Sequence, residues 1–108
     1  VRGSDIVKLL KPGKDDFYAL KPRHSAFYQT VLEHLLANLE TETLILTGVS
    51  TDICVLFTAN DAYMRQMNLI IPRDCVAAVN QKDNEMALDY MERVLKAKIV
   101  DSEEFAFE

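Results

Sequence analysis

The chain has 108 residues, and its 12 Lys plus Arg against 17 Asp plus Glu leave a net charge of −5. Hydrophobic residues make up 49% of it, which excludes a disordered chain, and the acidic balance excludes the clustered Lys and Arg of a nucleic-acid surface. No apolar run approaches the ~20 residues of a membrane span, and the length is that of one domain or part of one. Residues 1–5 hold neither an apolar leader nor an initiator Met. The two cysteines, Cys54 and Cys75, fit no Cys-x-x-Cys motif and read as reduced thiols, so a cytoplasmic setting is expected.

In chain order, residues 2–16 are a mostly polar arm with one apolar patch and a Pro12-Gly13 turn signal. The apolar run Phe17, Tyr18, Ala19 and Leu20 predicts a buried strand that stops at Lys21-Pro22. Phe27, Val31, Leu32, Leu35, Leu36 and Leu39 recur at helical spacing, with Ser25 as the expected N-cap. Residues 43–47 predict a strand ending at Gly48. A helix then runs from Thr51 or Asp52 to about Met67, closed by a left-handed Asn68. Leu69, Ile70 and Ile71 form the next strand, ended by Pro72. Residues 80–84 read as a polar loop, Ala87 to Leu95 as a third amphipathic helix, Ile99-Val100 as a last strand, and residues 102–108 as a tail. Strands without polar alternation, interleaved with helices, predict an α/β fold: a parallel sheet with helices on both faces. Ligands in such sheets bind beyond the carboxyl ends of the strands.

Two segments lie at those ends, residues 21–25 and residues 48–54. Cys54 follows a strand-to-helix turn. With Thr51 as N-cap it is the third helical residue, where free N–H donors and the helix dipole favour a thiolate. Asp52 in the same turn opposes this by like charge. Lys21 is a cation that would face Cys54 if the two strands are neighbours, and otherwise a solvated strand-end lysine. The turn at residues 48–51 is either a candidate oxyanion hole or an ordinary strand-to-helix turn. His24 lies beside the crevice without a partner, and His34 reads as a surface residue. Asp61, Asp74 and Cys75 read as structural, with Asp74 accepting turn N–H groups. No His, Asp and Glu cluster has metal-ligand spacing, so no metal site is expected within the chain.

Four segments carry a resemblance. Lys21-Pro22-Arg23-His24-Ser25-Ala26-Phe27 resembles the K-x-R-[YFH]-S-A-F segment of the isochorismatase-like cysteine hydrolases. Gly48-Val49-Ser50-Thr51-Asp52-Ile53-Cys54-Val55 resembles their nucleophile turn, Thr58-Ala59-Asn60-Asp61-Ala62 their T-A-x-D-A helix segment, and Asp74-Cys75-Val76-Ala77 their D-[AC]-x-A strand end. The resemblance implies a Rossmann-like α/β sheet and an Asp–Lys–Cys triad in which Cys54 is the nucleophile and Lys21 the lysine. It also implies a non-proline cis peptide between Val49 and Ser50, turning the Ser50 N–H toward the same oxygen as that of Cys54. It implies a small-molecule amide-type substrate, no cofactor and a homo-oligomer. The family's triad aspartate follows an earlier apolar strand, and no segment before Lys21 matches it. The expectation is therefore the C-terminal part of a hydrolase domain of about 180 residues. The nicotinamidase metal ligands lie in the family's unmatched front part, so a metal there stays open. Two alternatives also stand: a non-catalytic fragment or binding module, and the vinyl-ether cleavage of the isochorismatases, which uses no nucleophilic cysteine.

Overall fold

The computed structural model describes residues 2–105. Among the described residues five strands and four α-helices follow in the order α1 (Ser4–Leu9), α2 (Leu32–Asn38), β1 (Thr43–Ile45), β2 (Gly48–Val49), α3 (Leu56–Met64), β3 (Asn68–Pro72), β4 (Val76–Ala77), α4 (Gln81–Arg93) and β5 (Lys98–Val100). A turn of π-helix, Thr51–Val55, precedes α3. The strands form a three-stranded sheet in the order β1-β3-β5 and a two-stranded ladder β2-β4, with every pairing parallel. Parallel neighbours need crossovers, and α3 and α4 supply them. Both cross in the same direction along the sheet, so they share a face and pack on one another. The parallel α/β class is as expected, with both crossover helices on one face of the three-stranded sheet. Among the described residues no helix is long and apolar enough to cross a membrane.

The core sits between β3 and the two crossover helices. Leu69 and Ile71 of the central strand are buried, Ala59 and Ala62 of α3 have no exposed surface, and Ala87 and Met91 of α4 close on them. The alanines let α3 approach the sheet closely, while Asn84, Ala87 and Met91 at three- and four-residue steps form the inner face of α4. Leu32 and Leu36 of α2 pack against the same cluster.

Five expected boundaries are corrected. Residues 17–20 form no strand: they pair with nothing among the described residues, and Phe17, Tyr18 and Leu20 are exposed. Apolar character does not make a strand without a neighbouring backbone to complete the ladder. Ser25 caps no helix, because residues 22–31 are bends and turns and α2 begins at Leu32, whose N–H donates to Thr30 Oγ1 at 3.2 Å. Gln66, at φ 63°, rather than Asn68, takes the left-handed position that closes α3, and Met67 N–H returns to the Ala62 carbonyl at 3.1 Å. Glu40 and Lys96 close α2 and α4 in the same way. The segment read as a loop at residues 80–84 is the start of α4: Asn80 Oδ1 accepts from Lys82 N–H at 2.8 Å and Asp83 N–H at 3.3 Å. Finally, the tail forms a short 3₁₀ turn at Ser102–Glu104, and residues 106–108 lie outside the described residues.

Asn80 is the side-chain cap of the longest helix, so Asn80→Ala is expected to lower unfolding free energy by about 1 kcal/mol in urea melts, with the m-value unchanged. Met91→Ala, which empties a site with no exposed surface, is expected to cost about 2–5 kcal/mol in the same melts.

Candidate active site

The turn before Cys54 is built by the end of the β2-β4 ladder and the π-turn behind it. Gly48 and Val49 pair with Val76 and Ala77, which fixes the backbone just before the turn. Gly48 adopts φ 122°, a conformation that disfavours any side chain even though the space around it is open. The Val49-Ser50 peptide bond is cis. Val55 N–H donates to the Ser50 carbonyl at 3.1 Å, an i to i−5 bond, and Ile53 N–H shares that acceptor at 3.1 Å. The first turn is therefore wider than α-helical, with Ser50 at the N-cap and Cys54 as the fourth helical residue rather than the third. Thr51, the expected N-cap, is fully buried inside the helix, and its hydroxyl donates to Asn84 Oδ1 of α4. Asn84 was not legible as a site residue from the sequence, because it reads there as part of a polar loop.

Lys21 reaches this turn from outside the sheet. Its Nζ lies 3.7 Å from Cys54 Sγ and 3.5 Å from the Arg23 carbonyl oxygen. Cys54 is half-buried and Lys21 exposed, so the pair is open to a small molecule. A cavity of about 620 Å³ is lined by the neighbouring residues Arg23, His24, Ser25, Tyr28, Phe57, Asn60 and Asp61. The His24 ring stands edge-on to Phe57, one turn beyond Cys54, with centroids 5.5 Å apart. His34 is exposed on α2. Asp52 lines a separate groove with Leu56, Met86 and Tyr90, and its buried Oδ1 has no hydrogen-bond partner among the described residues. Among the described residues no group of three or more His, Cys, Asp or Glu is arranged to hold a metal ion.

The loop that carries Lys21 is bonded to the helix that carries Cys54. Ser25 Oγ donates to Asp61 Oδ2 and accepts from Phe27 N–H at 3.1 Å, and Ala26 N–H donates to Thr58 Oγ1 at 2.9 Å. The matched motif segments at residues 21–27 and 58–62 therefore touch. The sequence offers no period that relates them; their only joint signal is membership in one set of motifs.

A family model for the isochorismatase domain matches residues 1–104. The chain belongs to the isochorismatase family. It is 48% identical over 103 residues to the uncharacterized isochorismatase family protein YaaI of Bacillus subtilis, covering 95% of this chain and 57% of that protein. Among solved structures, nicotinamidase PncA from Bacillus subtilis superposes with a TM-score of 0.81 at 36% identity, over 94% of this chain and 56% of that one. N-carbamoylsarcosine amidase from Thermoplasma acidophilum superposes with a TM-score of 0.80 at 34% identity, over 89% and 54%. The chain thus spans little more than half the length of these isochorismatase-family relatives.

The fourth motif segment serves the fold of this family member. Asp74 follows β3, and its Oδ1 accepts Ser102 N–H at 2.8 Å while Oδ2 accepts the Ser102 hydroxyl, tying the 3₁₀ turn after β5 to the end of β3. The Ser102 hydroxyl first, and its N–H second, stabilise the carboxylate and hold Asp74 below the ordinary aspartate range. A depressed folded-state value means that the tie contributes fully above the ordinary value of about 3.9 and is lost as pH falls through the lower, folded one. A carboxyl-detected NMR titration is expected to place the Asp74 midpoint below that ordinary value, and Ser102→Ala to raise it. A midpoint that Ser102→Ala leaves unmoved would contradict this account.

Proposed function

We propose that the protein is a cysteine hydrolase that cleaves a small amide or other C–N bond through a thioester. The observation that carries this reading is the 3.7 Å approach of Lys21 Nζ to Cys54 Sγ. An ammonium beside a sulfur favours the thiolate, the nucleophilic form. The first helical turn behind Ser50 offers backbone donors, and we assign the N–H groups of Ser50 and Cys54 as the oxyanion hole. In the first step the thiolate forms a C–S bond to the substrate carbonyl carbon, and the carbonyl π pair moves to oxygen. Collapse of that intermediate breaks the C–N bond, and the amine leaves with a proton. Water then cleaves the thioester, giving the acid and restoring the thiol. The family resemblance gives the proton transfer to an aspartate of a segment that no residue of this chain matches.

Membership in the isochorismatase family supports hydrolysis. The likeness to a nicotinamidase and to an N-carbamoylsarcosine amidase supports an amide-type substrate. The cysteine at position 54 favours this reading over vinyl-ether cleavage, which needs no thiol nucleophile. The test is ammonia release by the full-length protein from nicotinamide, N-carbamoyl and ureido compounds. With the best of these, Cys54→Ala is expected to lower kcat by at least about 10³-fold, and Lys21→Met to lower it substantially. Amide hydrolysis that survives Cys54→Ala would overturn the assignment.

A further inference from the structure

We infer that Asp61 is the positioning residue for Lys21 and, through it, for the chemistry of Cys54; the inference rests on reading Lys21 and Cys54 as a working pair. Lys21 belongs to a segment without regular structure. Residues 17–20 join no strand among the described residues, and residues 22–31 are bends and turns. A lysine on such a segment keeps one geometry only if nearby backbone is held, because ordering both its backbone and its long side chain opposes a fixed position.

The holding points lie four to six residues further along. Ser25, which is 7% exposed, donates its hydroxyl proton to Asp61 and takes Phe27 N–H on the same oxygen. Ala26 N–H donates to Thr58 Oγ1. Cys54, Thr58 and Asp61 follow one another at four- and three-residue steps along one continuous helical segment. The sulfur and the groups that hold the lysine loop therefore ride on one rigid body. Four residues reach at most about 14 Å, so fixing Ser25 keeps the Lys21 backbone within that distance of it.

Asp61, more than Thr58, sets this geometry, because its carboxylate is itself fixed from behind. Arg65 lies 3.6 Å from Asp61 Oδ1 and donates to the Asp61 carbonyl oxygen at 2.9 Å. That guanidinium is held in turn by Glu33 Oε1 at 2.8 Å and by the Phe27 ring, 4.7 Å below it. Phe27 is buried next to the very turn that Asp61 holds. The Ser25–Asp61 bond is charge-assisted, and its acceptor has little freedom to swing away.

A purely structural residue would affect Cys54 whether or not Lys21 is present, whereas a positioning residue acts only through Lys21. The test is a double-mutant cycle on the alkylation rate of Cys54 by iodoacetamide in the full-length protein at neutral pH. Peptide mass mapping reads the rate, with Cys75 as internal reference. Lys21→Met is expected to slow Cys54 labelling. Asp61→Ala is expected to slow it at least roughly threefold, and Asp61→Asn, which keeps an acceptor for Ser25, to slow it less. In the Lys21→Met background Asp61→Ala should change nothing further. Ser25→Ala leaves the Asp61–Arg65 pair intact; it is expected to reproduce the Lys21-dependent slowing and decides the matter if Asp61→Ala does not fold. Equal slowing in both backgrounds, or slowing by Lys21→Met alone, overturns the positioning role and leaves the Lys21–Cys54 pair standing. Labelling unchanged by Lys21→Met removes the pair and the inference together.

Discussion

The loop of residues 22–31 has neither a ladder nor a helix of its own, so its place depends on the hydrogen bond from Ser25 to Asp61 and on the polar contacts around it. Ser25 and Thr58 are buried polar side chains, and each is satisfied by a partner on the other segment. Both contacts are part-buried, so breaking either removes a bond between loop and helix that typically contributes about 0.5–1.5 kcal/mol net. Loop and helix are therefore locked by mutual need rather than by shape alone. The ordered approach of Lys21 to Cys54 is a consequence of that lock.

A second polar contact holds the start of the helical segment that carries Cys54. The Thr51 hydroxyl, inside the π-turn, is bonded to Asn84 of α4, and α4 is in turn stacked on α3 through Ala87 and Met91. The helical segment that carries Cys54 is thus tied by two side-chain bonds, a part-buried one to the lysine loop and a buried one to the last helix. Widening of the turn by one residue, seen in the Val55 N–H to Ser50 carbonyl bond, coincides with the place where Thr51 is drawn toward α4. Such wide turns recur at functional sites, where they re-aim one residue without breaking the helix.

Much of the fold could be read from the chain. Apolar runs at β1, β3 and β5 and the helical periods between them point to a parallel sheet, because strands covered on both faces need no polar alternation. The ends of the helices could not be read, since Glu40, Gln66 and Lys96 occupy left-handed positions that usually signal themselves by Gly or Asn. Asn80 reads as loop for the same property that makes it a cap, its ability to bond backbone N–H groups. The apolar stripe from Phe27 reads as helix, yet residues 24–31 are held away from helical geometry by bonds to α3, a case of tertiary contacts overriding local preference. For the site, spacing alone leaves Lys21 a surface lysine; only the set of family motifs draws it toward Cys54. Asn84 and the Ser25–Asp61 contact carry no period or motif arithmetic that joins them to the sulfur, because each bridges elements that meet only in three dimensions.

The strand register carries a consequence in time. Thr43 pairs with Asn68, Gly48 with Val76 and Ile70 with Lys98, so each ladder joins backbone 25 to 28 residues apart. Contacts this distant must close long loops before they return any stabilisation, which places such topologies among the slower folders. The β2-β4 ladder that leads into the turn before Cys54 joins segments that have α3 and β3 between them in the chain. The turn before Cys54 is therefore completed by a contact across 28 residues of chain rather than by its own local sequence.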